Sequence, residues 1–287
     1  MKADQKTFMK LFRRKPKKIG LALGGGGARG LAHIHVLETL DELGIRPHAI
    51  AGTSIGAVLG ALYASGLSGV KIRDLVDHLL LRDVEKIQDV LTRKDLLKWV
   101  GLIDPSFHRG SLIKGEKIVQ FLAESMECSA FEELEIPLSI STTNFTTGRE
   151  AVFSSGDLLS AVRASMAIPG VFSPVERDGK LLVDGGLVNP IPYSLLRKTC
   201  DVILAVDVSG SLERPLKKPD FFDATLGSFD IVQSALIAEQ LRCNPPDIYL
   251  KPDLRGIRIL EFNKAAQIFE QSVSVRVQLA QKLRSIH

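Results

Sequence analysis

Residues 49–70 form a run of 22 without a single charge, and no other stretch restricts the fold as much. One apolar helix of that length could span a bilayer. Five glycines (Gly52, Gly56, Gly60, Gly66 and Gly69) together with Thr53, Ser54, Ser65 and Ser68 argue against a lipid-facing span. The better reading is a buried strand at 48–51, a tight turn, and a buried helix at 55–64. Gly56 and Gly60 lie four apart and give that helix one smooth face. Glycine costs about 1 kcal/mol in a helix interior, so the pair predicts close packing against another backbone.

The same alternation continues along the chain. Residues 19–23 are an apolar run ending in glycines. Residues 28–43 have helical spacing at Leu31, Ile34, Leu37 and Leu40, and Gly44 stands where a left-handed cap is expected. Residues 70–124 read as helical and more charged, with breaks near Gly101 and Gly110. Further strands are predicted at 137–142, 150–154, 180–183, 201–208 and 247–250, and helices at 157–167, 225–242 and 262–285. Strands separated by helices, with apolar runs buried on both faces, predict an α/β protein: a three-layer α/β/α sandwich around a mainly parallel central sheet. Three parts are expected. Residues 1–17 form a basic, flexible arm. Residues 18–209 form the core, with a helical insert at about 70–124. Residues 210–287 form a loop, marked by Gly210, Pro215 and Pro219, and a C-terminal helical extension packing on that core.

With 287 residues, 45% hydrophobic and 24% charged, the chain is neither disordered nor a multi-span membrane protein. Cys128, Cys200 and Cys243 are odd in number and widely spaced, which excludes a disulfide framework or a zinc finger and fits a reducing compartment. The first 18 residues carry eight basic side chains against one acid, a local +7 that leaves −3 for the rest of a chain of formal charge +4. No apolar segment with a cleavage site follows, so no signal peptide is expected. Two readings of this arm stand: a solvated tail, or attraction to anionic lipid at about 1 kcal/mol per basic residue. Nucleic acid is disfavoured, because no aromatics interleave the charges and no binding motif follows.

Three glycine-marked motifs follow predicted strands, at the sheet edge where α/β proteins bind ligands. The first is Gly24-Gly25-Gly26-Gly27-Ala28-Arg29-Gly30. Successive glycines can turn backbone N–H groups toward one anion, either a phosphate or a tetrahedral oxyanion. A dinucleotide site would need an acid at the end of the next strand, and that strand ends Ala51-Gly52-Thr53. A P-loop would need a following lysine, which is missing as well. Oxyanion hole, nucleotide site and plain structural turn all remain open. The second motif is Gly52-Thr53-Ser54-Ile55-Gly56, a GxSxG that lifts a serine hydroxyll onto a sharp strand-to-helix turn; a serine N-cap is the bland alternative. The third is Asp184-Gly185-Gly186, an aspartate ending a buried strand. Burial would raise its pKa from about 3.9 and make it a better base. A simple Asp-Gly turn is the alternative here, and Asp207, at the end of the next strand, is the rival candidate.

A serine nucleophile needs a base, and the histidines serve poorly. His33 and His35 lie on the first helix, His48 precedes the serine strand, His78 and His108 fall in the helical insert, and His287 ends the chain. Packing or a loop contact is the expectation for His33.

In this order the three motifs resemble the patatin-like phospholipase family, and within it bacterial relatives of the catalytic domain of neuropathy target esterase. The stretch from Ala164-Ser165-Met166-Ala167-Ile168-Pro169-Gly170 to Val175 is also similar to the family pattern, and the resemblance covers at least 18–209. It implies lipid acyl hydrolase chemistry by a Ser–Asp dyad without histidine. Ser54 then stands as nucleophile, Asp184 as general base, and Gly25, Gly26 and Gly27 as oxyanion-hole donors. Gly24, Arg29, Gly30, Gly52, Gly56, Gly185 and Gly186 support the motifs, with Arg29 bracing the loop or meeting a phosphate. The resemblance calls for no metal and no organic cofactor. The expected partner is a lipid or acyl-ester substrate, in a cytoplasmic protein whose arm contacts an anionic membrane surface at the inner face. Leu79, Leu80, Leu81, Leu96, Leu97, Trp99 and Val100 of the insert suggest an acyl-binding cap, or else a helical packing layer. A nucleotide- or phosphate-binding regulator and a catalytically silent adaptor stay open as other classes.

Overall fold

The computed structural model describes residues 17–84, 116–210, 218–219 and 221–285. Residues 1–16 of the basic arm, Leu96, Leu97, Trp99 and Val100 of the expected cap, His108, His287, and most of the loop after Gly210 lie outside the described residues. Within them runs one eight-stranded sheet: β1 (Ile19–Leu23), β2 (Ala49–Thr53), β3 (Leu138–Asn144), β4 (Arg149–Phe153), β5 (Val175–Arg177), β6 (Lys180–Asp184), β7 (Val202–Val206) and β8 (Ile248–Leu250). The order is β5-β6-β3-β2-β1-β7-β8, with β4 beside β3. The five strands from β3 to β8 along that order pair in parallel, as the buried apolar runs predict. β4, β5 and β6 are antiparallel additions, so the sheet is mixed. The cause is loop length: β3–β4 and β5–β6 are joined by too few residues for a crossover, which leaves only a hairpin.

The strands bury both faces. On one, Leu21, Leu23, Ile50, Leu204 and Val206 join the main core beneath α1 (His33–Glu42), α2 (Ile55–Ala64), α7 (Ala265–Ser272) and α8 (Ser274–Arg284). On the other, the alternate residues Ala22, Ala49, Ala51, Ile203 and Ala205 meet Tyr193, Leu196 and, from α6 (Phe221–Cys243), Ile237. The period of two thus sorts larger side chains to one layer and mostly alanines to the other. The remaining described helices are α3 (Gly69–Val84), α4 (Glu116–Ser125) and α5 (Leu158–Ser165). Helices on both faces complete the three-layer α/β/α arrangement.

The register of β3 brings distant motifs together. Its residue Ser141 is opposite Thr53 of β2, and the next residue, Thr142, is opposite Asp184 of β6. β2 runs parallel to β3 and β6 runs against it, while β4 occupies the other edge. β2 and β6 therefore meet head to head along one side of β3, each ending where the other ends. The turn after Thr53 and the turn at Asp184 face one another for that reason.

Several expected elements differ in detail. Residues 27–32 form a tight 3-10 turn before α1 begins at His33; Ala28 N bonds Ile259 O there, and the glycines pack too closely for a regular helix. Strand β5 was not expected. Its signal was the Asp178-Gly179 pair, both at positive φ (50° and 69°), which forms a two-residue hairpin turn. The C-terminal helix is divided between α7 and α8, where Ser272 Oγ donates back to Ile268 O at 2.7 Å, a bond that bends helices. Gly44 has the expected left-handed φ of 64°.

Candidate active site

Ser54 follows the last residue of β2 and caps α2. Its φ of 55° and ψ of −123° place a non-glycine residue at a sharp, strained turn, of the kind that functional sites hold by surrounding contacts. Those contacts are present. Ser54 N donates to Ser165 Oγ at 2.8 Å, and Ser165 Oγ donates in turn to Ser141 O at 2.7 Å. Thr53 Oγ1 donates to Asn189 O at 2.8 Å. The flanking glycines make room: a Cβ on Gly56 would lie 2.1 Å from Leu23 O, and one on Gly52 would lie 2.6 Å from Gly56 O. Gly24, Gly30 and Gly185 are similarly confined, at 2.9 Å from Val206 O, 2.2 Å from Ile55 Cγ2 and 2.3 Å from Ser141 O.

Asp184 is fully buried. Its backbone N–H donates to Ala167 O at 2.9 Å, and its carbonyl accepts from Thr143 Oγ1 at 2.8 Å. Oδ1 accepts from Gly186 N at 2.7 Å. Oδ2 has no partner at full hydrogen-bond geometry, although the Ser54 side chain is close enough to act on the carboxyl. Burial pushes the pKa up to about 7, with the Ser54 hydroxyl and the Gly186 amide working against it. One oxygen is thus fixed by the turn, and the other is free to take a proton.

The glycine loop lies where β2 and β7 lead away on opposite sides of β1, the switch point of the sheet. Gly24 N is held by Val206 O at 3.0 Å and Gly25 N by Pro190 O at 2.9 Å. The Gly25 amide is therefore committed within the fold, and the expected donor set narrows to Gly26 and Gly27. Gly27 has a φ of 58°, and a Cβ there would strike Ile259 O at 2.0 Å, so only glycine fits. Arg29, 1% exposed, donates through Nε to Gly26 O at 3.1 Å and through Nη2 to Asp230 Oδ1 at 2.6 Å. Of the two expectations for Arg29, it braces the loop; a buried ion pair leaves it unavailable to a phosphate. His33 supports the same loop from beneath. Its Nε2 bonds Gly24 O at 2.9 Å, and because a carbonyl only accepts, Nε2 carries the proton. Burial pulls its pKa down to about 4, against the raising effect of the Gly24 bond. No hydrogen bond joins a described histidine to Ser54.

Asp207, the rival carboxylate, is also buried but fully engaged. Oδ1 accepts from Ser209 N at 2.7 Å, and Oδ2 accepts from Tyr249 Oη at 2.5 Å and pairs with Lys251 Nζ at 2.9 Å. It is a cap on the sheet edge.

Beside Ser54 opens an apolar pocket of about 150 Å³, lined by Gly27, Leu31, Ile55 and Val58, by Val76, Leu79 and Leu80 of α3, by Ile118 and Phe121 of α4, and by Met166, Ile168 and Phe172 after α5. No group of three or more His, Cys, Asp or Glu side chains suited to a metal occurs among the described residues. No described helix is long and apolar enough to cross a membrane. Sequence reasoning missed Ser165 as the anchor of the Ser54 amide, Asp230 as the partner of Arg29, and Gln233. The last is buried on α6 between Phe229 and Ile237, beside the buried Asp230, and no local sequence signal marks it.

Known proteins resemble this chain in sequence and in fold. Residues 21–197 match the family of patatin-like phospholipases. An uncharacterized NTE family protein of Mycobacterium tuberculosis is 36% identical over 201 residues, which is 70% of this chain and 51% of that protein. The lysophospholipase NTE1 of Pyricularia oryzae is 28% identical over 305 residues, 96% of this chain but 19% of that protein. The chain thus spans about half the length, or less, of the curated relatives it matches. Among solved structures, VipD from Legionella pneumophila superposes with a TM-score of 0.54 at 14% identity, covering 92% of this chain and 67% of that one.

Proposed function

The chain belongs to the patatin-like phospholipase family, and on that premise we propose that it is a serine acyl hydrolase cleaving lipid acyl esters through Ser54 and Asp184. The observation that carries this reading is the pairing of a strained serine elbow with a buried carboxyl whose pKa stands near 7, at the mouth of an apolar pocket. A base poised near the working pH is what proton abstraction from a hydroxyl requires.

In the proposed reaction Asp184 Oδ2 accepts the Ser54 proton as Ser54 Oγ attacks the ester carbonyl. The Gly26 and Gly27 N–H groups hold the oxyanion, an interaction worth about 3–4 kcal/mol per donor in such sites. Asp184 then protonates the leaving alcohol, and water releases the acyl group. The pocket takes the acyl chain; Leu79 and Leu80 of the expected cap line it, which supports an acyl-binding role for that insert. An apolar lining beside the loop does not suit the phosphates of a nucleotide. No metal or organic cofactor enters this mechanism. The basic arm is proposed to add contact with anionic membrane.

A panel of acyl esters, lysophospholipids and phospholipids hydrolysed by wild type and Ser54→Ala tests the reading. Turnover should vanish in Ser54→Ala with the melt unchanged, and a fluorophosphonate should label wild type at Ser54. An unlabelled, inactive wild type would instead make the chain a silent adaptor.

A further inference from the structure

One buried side chain outside the sequence motifs faces the reacting groups with no hydrogen-bond partner among the described residues. Gln233 lies at helical spacing between Phe229 and Ile237 on α6 and is fully buried, and neither its Nε2 nor its Oε1 is hydrogen-bonded. Nε2 is 2.0 Å from the point where a Cβ on Gly186 would stand and 3.5 Å from the same point on Gly25. Asp184 Oδ1 is 3.0 Å from the first point, and Ser54 Cβ is 3.4 Å from the second. The carboxamide therefore stands between the glycine loop and the Asp184 turn, beside both reacting side chains. Any side chain at residue 186 would displace it, which gives Gly186 a reason to be glycine. Asp184 Oδ2, the third polar atom of this cluster, has no partner at full hydrogen-bond geometry, with the Ser54 hydroxyl close by. Buried amides and carboxyls are almost always bonded, and leucine or methionine would fill this stripe of α6 without that cost.

We propose that Gln233 is a catalytic residue of the deacylation step: its carboxamide, with the Asp184 carboxylate, holds and aims the water that releases the acyl group from Ser54. The inference rests on the Ser54–Asp184 reading above. One water O–H donates to Asp184 Oδ2, and Gln233 Nε2, the amide atom beside the Asp184 turn, donates to the water oxygen, leaving its second lone pair directed at the acyl carbon. The water oxygen bonds to that carbon as its proton passes to Asp184. The oxyanion then collapses, the bond from carbon to Ser54 Oγ breaks, and Asp184 returns the proton to Oγ. Water and acyl-enzyme are the only reactants. An amide suits the task because it orients the water without titrating, and so never competes with Asp184 for the proton.

The test separates acylation from deacylation in Gln233→Met, which keeps shape and removes both polar atoms. Fluorophosphonate labelling of Ser54 needs no water, and its rate should stay within about threefold of wild type. Steady-state turnover of p-nitrophenyl butyrate should fall about 10- to 100-fold, the span of one lost hydrogen bond to a charged or reacting group. A burst of p-nitrophenol should precede it, with the butyryl-enzyme visible by mass spectrometry. Equal losses in labelling and turnover would reduce Gln233 to packing, and unchanged turnover without a burst would remove it from the reaction; either overturns the proposal. Should Gln233→Met not fold, Gln233→Asn, which withdraws the amide by one methylene, is read in the same way. Failure of wild type itself to label at Ser54 would overturn the dyad reading instead.

Discussion

Asp184 and Asp207 make a controlled comparison within one molecule. Both are fully buried aspartates that directly follow a valine, one closing β6 and one just after β7. Burial pushes both pKa values up. At Asp207 the Lys251 charge and the bonds from Tyr249 and Ser209 overcome it, and the carboxyl is held below its usual range. At Asp184 the only helpers are a serine hydroxyl and one backbone amide, and burial wins. A full set of donors makes a strand cap, and an incomplete set leaves a carboxyl able to take a proton. The count of donors, not the position in the fold, decides which aspartate can do chemistry.

Exchanging each for asparagine should separate these roles, and gives the largest expected effect. Asp184→Asn should lower ester turnover about 10²- to 10⁴-fold, the usual range for losing a general base. Asp207→Asn should keep turnover within about tenfold while lowering stability by about 1–2 kcal/mol, a value discounted because Lys251 is 44% exposed and keeps its hydration. Turnover and urea denaturation on both variants check this; a larger activity loss in Asp207→Asn would reverse the assignment.

The raised pKa makes a second contrast, in pH dependence. Only the ionised Asp184 can accept a proton, so kcat/KM should rise about tenfold per pH unit below about 7 and level off above it. The same shift costs stability. The folded protein holds the Asp184 proton between the ordinary carboxyl pKa and about 7, whereas the unfolded chain does not, so this group's contribution falls as pH rises through that window. Asp184→Asn should therefore raise the melting temperature at pH 8, by an amount corresponding to a few kcal/mol at most, and much less at pH 4.5. A melt lowered equally at both pH values would mean that the carboxylate is held, not strained.

Much of this was legible in the sequence, for identifiable reasons. Ser54, Asp184 and the glycine loop could be read because glycine spacing reports where main chains approach too closely for a Cβ. The helix at 55–64 was legible because it is apolar on every side. Three matters were not. That β6 runs against β2 depends on the register Ser141–Thr53 and Thr142–Asp184, a long-range pairing that leaves no local signal. That the Gly25 amide is consumed by Pro190 O depends on a residue 165 positions away. Gln233 was hidden differently: a glutamine on a mixed helix reads as solvent-facing until burial is known.

His33 supplies the finest contrast, since it is a buried titratable group beneath the same loop with the opposite sign. Its pKa falls from 6.5 to about 4, so the unfolded chain binds a proton there that the folded protein refuses. The stability it contributes is complete above about 6.5 and is lost as pH falls toward 4. Over that window His33 makes the protein less stable on acidification while Asp184 makes it more stable, and the two slopes largely cancel in wild type. His33→Gln keeps an N–H to donate to Gly24 O and removes the titration. It should cost no more than about 1 kcal/mol at pH 7.5, where one hydrogen bond of altered geometry is at stake. Between pH 6.5 and 4.5 it should lose less stability than wild type, whereas Asp184→Asn should lose more. Denaturant midpoints at four pH values on the three proteins measure both tilts. Parallel curves for wild type and His33→Gln would mean that His33 is protonated in the folded state and that the Gly24 bond is made from a charged ring.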